Sequence, residues 1–269
     1  MKIQISDFDF TEVWDGVLYQ KLSRYPAVTD WEIRKLLEFV AYEKAHGREC
    51  PIICDDENLL AEIRQKMQEA GKYLSTPRPA RITECTACRH GGCLTDWVCH
   101  TTSPENARQI LASGWLLSAV RARGLPAETL MQEKRNAAGD PADYFHYVMP
   151  AWGNCQAGDR LVMERRLSRF PEERDLSSGF TPGVRFYFRY EELAKHPGAT
   201  FDGVLPMKIR DGIELAEWVR WIVIPQKLQA ELEAFVPPAL KQRVLFVPHQ
   251  GEDIWEWTEK VYEAIAQMN

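Results

Sequence analysis

The stretch VCHTTSPENARQILASGWLLSAVRARG, residues 98–124, constrains the fold more than any other part of the chain. Small and apolar residues lead up to His100, which suits the end of a strand. Ser103 is then a good helix N-cap, and Pro104 takes the first helical position, where its missing N–H is harmless. Ala107, Ile110 and Leu111 mark an apolar face at helical spacing, and Gly114 supplies the stop. A histidine and two hydroxyls, His100, Thr101 and Thr102, therefore sit at the seam between a strand and a capped helix. Small anionic ligands are often held at such seams. The plainer alternative is a buried histidine satisfied by backbone, with threonines that only cap the helix.

Elsewhere the pattern is mixed. Residues 1–28 carry Phe8, Phe10, Val13, Trp14, Val17, Leu18 and Tyr19 with no clear period. Thr29 and Glu32 form a capping-box pattern that opens a helix on Ile33, Leu36, Leu37, Val40 and Ala41, ended by Gly47. A second helix is expected from Asp55 or Asp56 through Leu59, Leu60, Ile63 and Met67, stopping at Gly71. STPRPAR, residues 75–81, has two prolines and reads as an extended connector. It divides an N-terminal helical region, 1–80, from a second domain, 81–269.

In that second domain GVRFYFRY (183–190) alternates Val184, Phe186, Phe188 and Tyr190 against Arg185, Tyr187 and Arg189, the pattern of a half-buried strand. EWVRWIVIP (217–225) and RVLFV (243–247) are two further strands. DIWEWTEKVYEAIAQM is a terminal amphipathic helix on Ile254, Trp255, Val261, Tyr262 and Ile265. Short strands mixed irregularly with helices predict the α+β class.

The 269 residues suffice for a large core, and 45% hydrophobic with 27% charged residues is ordinary for a globular protein. No apolar run approaches the ~18 residues of a membrane span, and no signal-peptide pattern opens the chain, so a cytoplasmic protein with no membrane partner is expected. The net charge of −6 argues against a broad nucleic-acid surface while leaving room for a local basic groove. There is no phosphate-loop pattern, no G-x-G-x-x-G, no H-E-x-x-H and no G-x-S-x-G. Nucleotide motors, Rossmann dehydrogenases, zinc peptidases and α/β-hydrolases lose their usual support.

Seven cysteines are present. ECTACRHGGCLTDWVCH places Cys85 and Cys88 two residues apart, then Cys93 and Cys99, with His90 between. Such a cluster suits a structural zinc, although the spacing matches no standard finger, and Cys50 and Cys54 in CPIIC are a remote pair. Unligated thiols are the alternative.

HTTSPENARQILASGWLL, followed by SAVRARG, DYFHYVMPAW and LAEWVRWIVIP, resembles in order the ADP-ribosyltransferase fold, particularly the bacterial DarT-type toxins that modify nucleic acids. The resemblance runs over about residues 97–230. It implies a split mixed β-sheet core and NAD as donor substrate. His100, Thr101 and Thr102 would anchor NAD, Arg121 and Arg123 would lie on an arginine loop, and Tyr144 would sit on an aromatic strand from Asp143 to Trp152. Glu217, on a strand facing the seam, would be the catalytic carboxylate. Thr-Thr after the histidine departs from the family, and Glu214 and Glu217 stand three apart, which does not match the Glu-x-Glu of arginine-modifying members. EKRNAAGDPADYF and WGNCQAGDRLVMERRL (152–167) have no counterpart. The chain is also similar to uncharacterised bacterial proteins labelled as phosphate-transporter ATPases, a label that the missing phosphate loop contradicts.

The chemistry explains the residue types. Breaking the nicotinamide–ribose bond builds positive charge on the sugar, which a carboxylate stabilises. Histidine and threonine fix hydroxyls directionally, and arginine suits a pyrophosphate. The acceptor, nucleic acid, protein or water, stays open. Two other readings stay open: a zinc-stabilised interaction protein without catalysis, and an RNA 2′-phosphotransferase-like enzyme. The zinc reading predicts about one zinc per chain by elemental analysis, lost in Cys88→Ser. A metal-free preparation with freely titrating thiols and normal stability would refute it.

Overall fold

The computed structural model describes residues 1–14, 16–75, 96–132 and 140–268. They fall into two units. One gathers Met1–Arg78, Pro126–Tyr144 and Thr200–Leu205; the other gathers Pro79–Leu125, Phe145–Ala199 and Pro206–Asn269. Most of the connector STPRPAR, and with it the boundary expected near residue 80, lies outside the described residues.

The first unit is built on a four-stranded sheet in the order Glu12–Trp14, Val17–Gln20, Lys2–Ile5, Ile52–Cys54. Lys2–Ile5 pairs in parallel with both of its neighbours. Ile3, Ile5 and Leu18 pack with Ile33, Leu36 and Phe39 from helix Asp30–Ala45 and with Leu59 and Ile63 from helix Glu57–Gln68. The capping box forms as read: the Glu32 N–H donates to Thr29 Oγ1 at 3.3 Å, and the Thr29 N–H donates to Glu32 Oε2 at 2.8 Å. Asp56 caps the second helix, but Ala70–Leu74 is a further short helix that passes through Gly71.

The expected N-terminal helical region is thus a mixed α/β unit. Its strands are three or four residues long, too short to display a period. Distant chain segments complete the unit. Arg48 Nη1 donates to Asp143 Oδ1 at 2.6 Å. Gly203, at φ +72°, lies on the Lys35 carbonyl where any Cβ would collide.

The second unit carries a five-stranded sheet in the order Val244–Val247, Trp221–Pro225, Val184–Arg189, Trp97–Thr102, Ala151–Trp152. The first pair is parallel and the rest antiparallel. Apart from it, Trp115–Leu117 pairs antiparallel with Gly212–Glu214 in a two-stranded sheet, and Tyr147–Val148 pairs antiparallel with Lys208–Arg210 in a three-stranded one. The protein is therefore mixed α and β with several sheets. Helix Pro104–Ser113 has the cap read from sequence, with the Asn106 N–H donating to Ser103 Oγ and Gly114 left-handed at φ 73°.

Three expectations are corrected here. The first concerns Val184–Arg189, which is covered on both faces and not half-buried: Arg185 is 0% and Tyr187 1% exposed. Arg185 survives there because Nε donates to Asp159 Oδ2 at 2.9 Å, Nη1 to Tyr187 Oη at 3.0 Å and Nη2 to Thr258 Oγ1 at 2.8 Å. Nη2 also binds Asp159, and the Gly183 N–H donates to Asp159 Oδ1 at 3.1 Å. Helices Ala157–Leu167 and Ile254–Ala266 supply Asp159 and Thr258.

The second correction is that Asp143–Trp152 is no strand. It begins in the 3-10 turn Ala142–His146, and its two short strands, Tyr147–Val148 and Ala151–Trp152, join different sheets. The third is that the terminal helix buries Trp257 and leaves Trp255 53% exposed, because Ile254, Trp257, Val261 and Ile265 share the i, i+3, i+4 face. Among the described residues no helix is long and apolar enough to cross a membrane.

Asp159→Ala leaves the Arg185 charge buried without its partner, and a loss of about 3–5 kcal/mol is expected in equilibrium urea denaturation. Replacing both residues by apolar ones of similar volume should lose less. An Asp159→Ala protein as stable as wild type would refute the pair's structural role.

Candidate functional site

His100 pairs with Phe186 in the strand Trp97–Thr102 and is half-buried. Successive strand residues point to opposite faces. His100 and Thr102 therefore share one face, while Thr101 turns with Trp97 and Cys99 toward the Arg185–Asp159 side. There Thr101 lies against Gly158, and its hydroxyl is 3.8 Å from Cys99 Sγ. Thr102 is 3% exposed. Of the three expected anchors, Thr102 is buried, and His100 and Thr101 are half-buried on opposite faces of the strand. Burial, helped by the charge of Arg165, brings the His100 pKa down to about 4. The imidazole is neutral at physiological pH, with one donor and one acceptor nitrogen. Arg165 is exposed, on helix Ala157–Leu167, and nothing in the sequence pattern marked it.

The remaining expected residues are dispersed. Arg121 and Arg123 are exposed on a short helix, Ala119–Arg123, and not on a loop. Tyr144 belongs to the first unit, where it is buried edge-on to Tyr42 at 6.0 Å and burial raises its hydroxyl pKa.

Glu217 is exposed on a helical turn, Leu215–Trp218, and the strand expected to carry it begins only at Trp221. The cause is tertiary: the Leu215 N–H donates to Gly114 O at 2.9 Å, which bends the chain at the end of helix Pro104–Ser113. Glu217 thus stands near the far end of the helix whose start carries Thr102 and Ser103, about 15 Å along its axis. The arginine helix leaves the Trp115–Leu117 and Gly212–Glu214 pair from its opposite end, where the Ser118 N–H donates to Asp211 O at 2.9 Å.

Against Trp218, the residue after Glu217, packs His196, which the motif reading missed. Its ring meets Trp218 at 5.0 Å between centroids and 61° between planes. Burial lowers its pKa, against the pull of Glu217. The Gly198 N–H donates to its Nδ1 at 2.9 Å. The signal available in the sequence was His-Pro-Gly at 196–198, a histidine placed directly on a turn.

Cys85, Cys88, Cys93 and His90 lie outside the described residues. Cys99, the fourth expected zinc ligand, is packed with Trp97, Met163 and Tyr187 in the core, and burial pushes its thiol up to about 12. A metal needs the thiolate, which this setting disfavours. Burial likewise pushes the Cys50 thiol up to about 11. Among the described residues no three His, Cys, Asp or Glu side chains are grouped to hold a metal.

A scan against family models, a search of curated proteins and a search of solved structures each find no match to this chain.

The depressed pKa of His100 has a pH signature. The unfolded chain takes up this proton near the ordinary value of 6.5 and the folded chain only near 4, so acid favours unfolding. Folding stability is expected to fall as pH drops through that window, and His100→Gln should remove part of the fall. Thermal melts of both proteins across the window check it; identical pH profiles would refute the buried-neutral state.

Proposed function

We propose that this chain cleaves the nicotinamide–ribose bond of NAD and passes ADP-ribose to a nucleic-acid, protein or water acceptor. The observation that carries the reading is His100, an uncharged, half-buried imidazole on a strand braced from its other face, with a guanidinium as its electrostatic neighbour. Its two ring nitrogens suit a pair of ribose hydroxyls, one as donor and one as acceptor. Arg165 suits the pyrophosphate, since a guanidinium fork matches phosphate oxygens.

In this reading NAD is anchored at two places. One nucleoside lies at the His100 face, and the nicotinamide ribose lies at Glu217, whose exposed carboxylate meets the positive charge that develops as nicotinamide leaves. Two nucleosides joined by a pyrophosphate give the ligand the extended shape that two separated anchors require. Thr102 and Tyr144, both buried, pass from ligand contacts to packing, and Thr101 lies on the face opposite His100.

Separated anchors predict separable effects. His100→Ala should weaken NAD binding in calorimetry by about tenfold or more. Glu217→Ala should keep NAD binding while nicotinamide release falls by roughly a hundredfold. Unchanged release in Glu217→Ala removes that residue's role. Absence of saturable NAD binding by the wild-type chain removes the reading and leaves an interaction module.

A further inference from the structure

Glu217 stands on a helical turn of four residues, Leu215–Trp218, too short to hold its shape unaided. Within it the Val219 N–H donates to Leu215 O at 3.0 Å. Other elements fix its two ends. At the start the Leu215 N–H reaches Gly114 O, and past the end the Arg220 N–H donates to Tyr187 O in the five-stranded sheet, each at 2.9 Å. Arg220 is also held by its side chain, with Nε donating to Glu192 Oε2 at 2.8 Å. These bonds leave the C-terminal side of the turn, where a helix has carbonyls with no partner in its own backbone.

Arg243 fills that place. It is the last residue of the 3-10 segment Pro238–Arg243, directly before the edge strand Val244–Val247. Val244 pairs in parallel with Ile222, which sets Arg243 beside the chain that leads out of the Glu217 turn. The half-buried guanidinium reaches back from there: Nη1 donates to Val219 O at 2.7 Å and to Ala216 O at 3.1 Å. One nitrogen thus spends its two N–H bonds on two carbonyls that bracket Glu217 and Trp218 in the chain. A cation suits this end of a helical turn, because the carbonyl dipoles point toward it.

We propose that Arg243 is the positioning residue of Glu217: its forked hydrogen bonds to Ala216 O and Val219 O fix the backbone that aims the carboxylate. The inference rests on the role given to Glu217 above and deepens it. A carboxylate that stabilises a developing ribosyl cation acts only where it is held before the charge appears. Glu217 is exposed, so its direction is set by its backbone more than by packing of its side chain. Freed on one side, the turn would let the carboxylate wander by the ångström or so that separates a productive geometry from an idle one. NAD binding at the His100 face does not use Arg243.

Two measurements on the full-length chain test this, with Arg243→Met, which keeps the apolar stem and loses the donors, and Arg243→Lys, which keeps donors on a shorter stem. In nicotinamide release from NAD, Arg243→Met should lower kcat by about tenfold while NAD affinity in calorimetry stays unchanged. Arg243→Lys should recover part of that loss. In amide hydrogen exchange, Arg243→Met should speed the Val219 amide by about tenfold or more and leave the Arg220 amide, bonded into the sheet, as in wild type. Wild-type kcat in Arg243→Met, or a lysine variant no better than methionine, overturns the positioning role. Acceleration at Arg220 as well as Val219 also overturns it, since Arg243 would then be a general stabiliser. If the chain releases no nicotinamide, the NAD reading fails by itself. Exchange still decides the hold on the turn, because a Val219 amide unmoved in Arg243→Met overturns it.

Discussion

The second unit depends on one buried ion pair. Arg185 and Asp159 are both fully enclosed, and removing two such charges from water costs several kcal/mol each unless every donor and acceptor finds a partner. Here they do: Tyr187, Thr258 and the Gly183 amide complete the set. Burial opposes the guanidinium charge and Asp159 outweighs it, leaving Arg185 above its ordinary pKa. The network joins the central strand of the sheet to helices Ala157–Leu167 and Ile254–Ala266, so three distant pieces of chain must arrive together.

That bolt also shapes the candidate site. Gly158 and Gly183 bring the helix and the strand so close to Thr101 and Thr102 that a Cβ on either would come within 2.6 Å. On the inner face of Trp97–Thr102, Thr101 is thereby held against Gly158 and Gly183, while His100 stands half-buried on the opposite face. The first unit uses the same device in a wetter setting. Arg48 bridges Glu43 at 2.7 Å and Asp143 at 2.6 Å, holding Asp143 against the end of helix Asp30–Ala45. Burial works against ionisation of Glu43 and of Asp143, and their hydrogen bonds to Arg48 still hold both carboxyls below the usual range. Tyr144 is buried as a consequence of that docking, which is why an aromatic expected at a ligand is a packing residue.

Much of the helical framework was legible from local chemistry. Thr29 with Glu32, Ser103 with Pro104, and Gly114 each act within four residues of themselves, and a cap needs no partner from elsewhere in the chain. The strands at Val184–Arg189 and Val244–Val247 were legible as strands. Their burial was not. Alternation in GVRFYFRY distinguishes two faces, but whether the Arg185 face meets water or Asp159 is decided by a helix twenty-six residues away. The short strands among residues 1–20 carry too few residues to show a period before a neighbouring strand is supplied.

For the candidate site the division is similar. The sequence by itself determined that a strand leads into His100, that a capped helix follows, and that Glu217 precedes a β-branched run, because these are matters of local propensity and spacing; the strand itself runs two residues further, to Thr102. Only the tertiary structure decided which of these side chains face a ligand. Thr101 was turned by strand alternation against Gly158, and the turn carrying Glu217 was set off the strand where the Leu215 N–H donates to Gly114 O. His196, silent in any motif, was brought to the Glu217 turn by the packing of its ring on Trp218. Contacts between residues far apart in the chain depend on how whole elements stack, and no window of neighbouring residues contains that information.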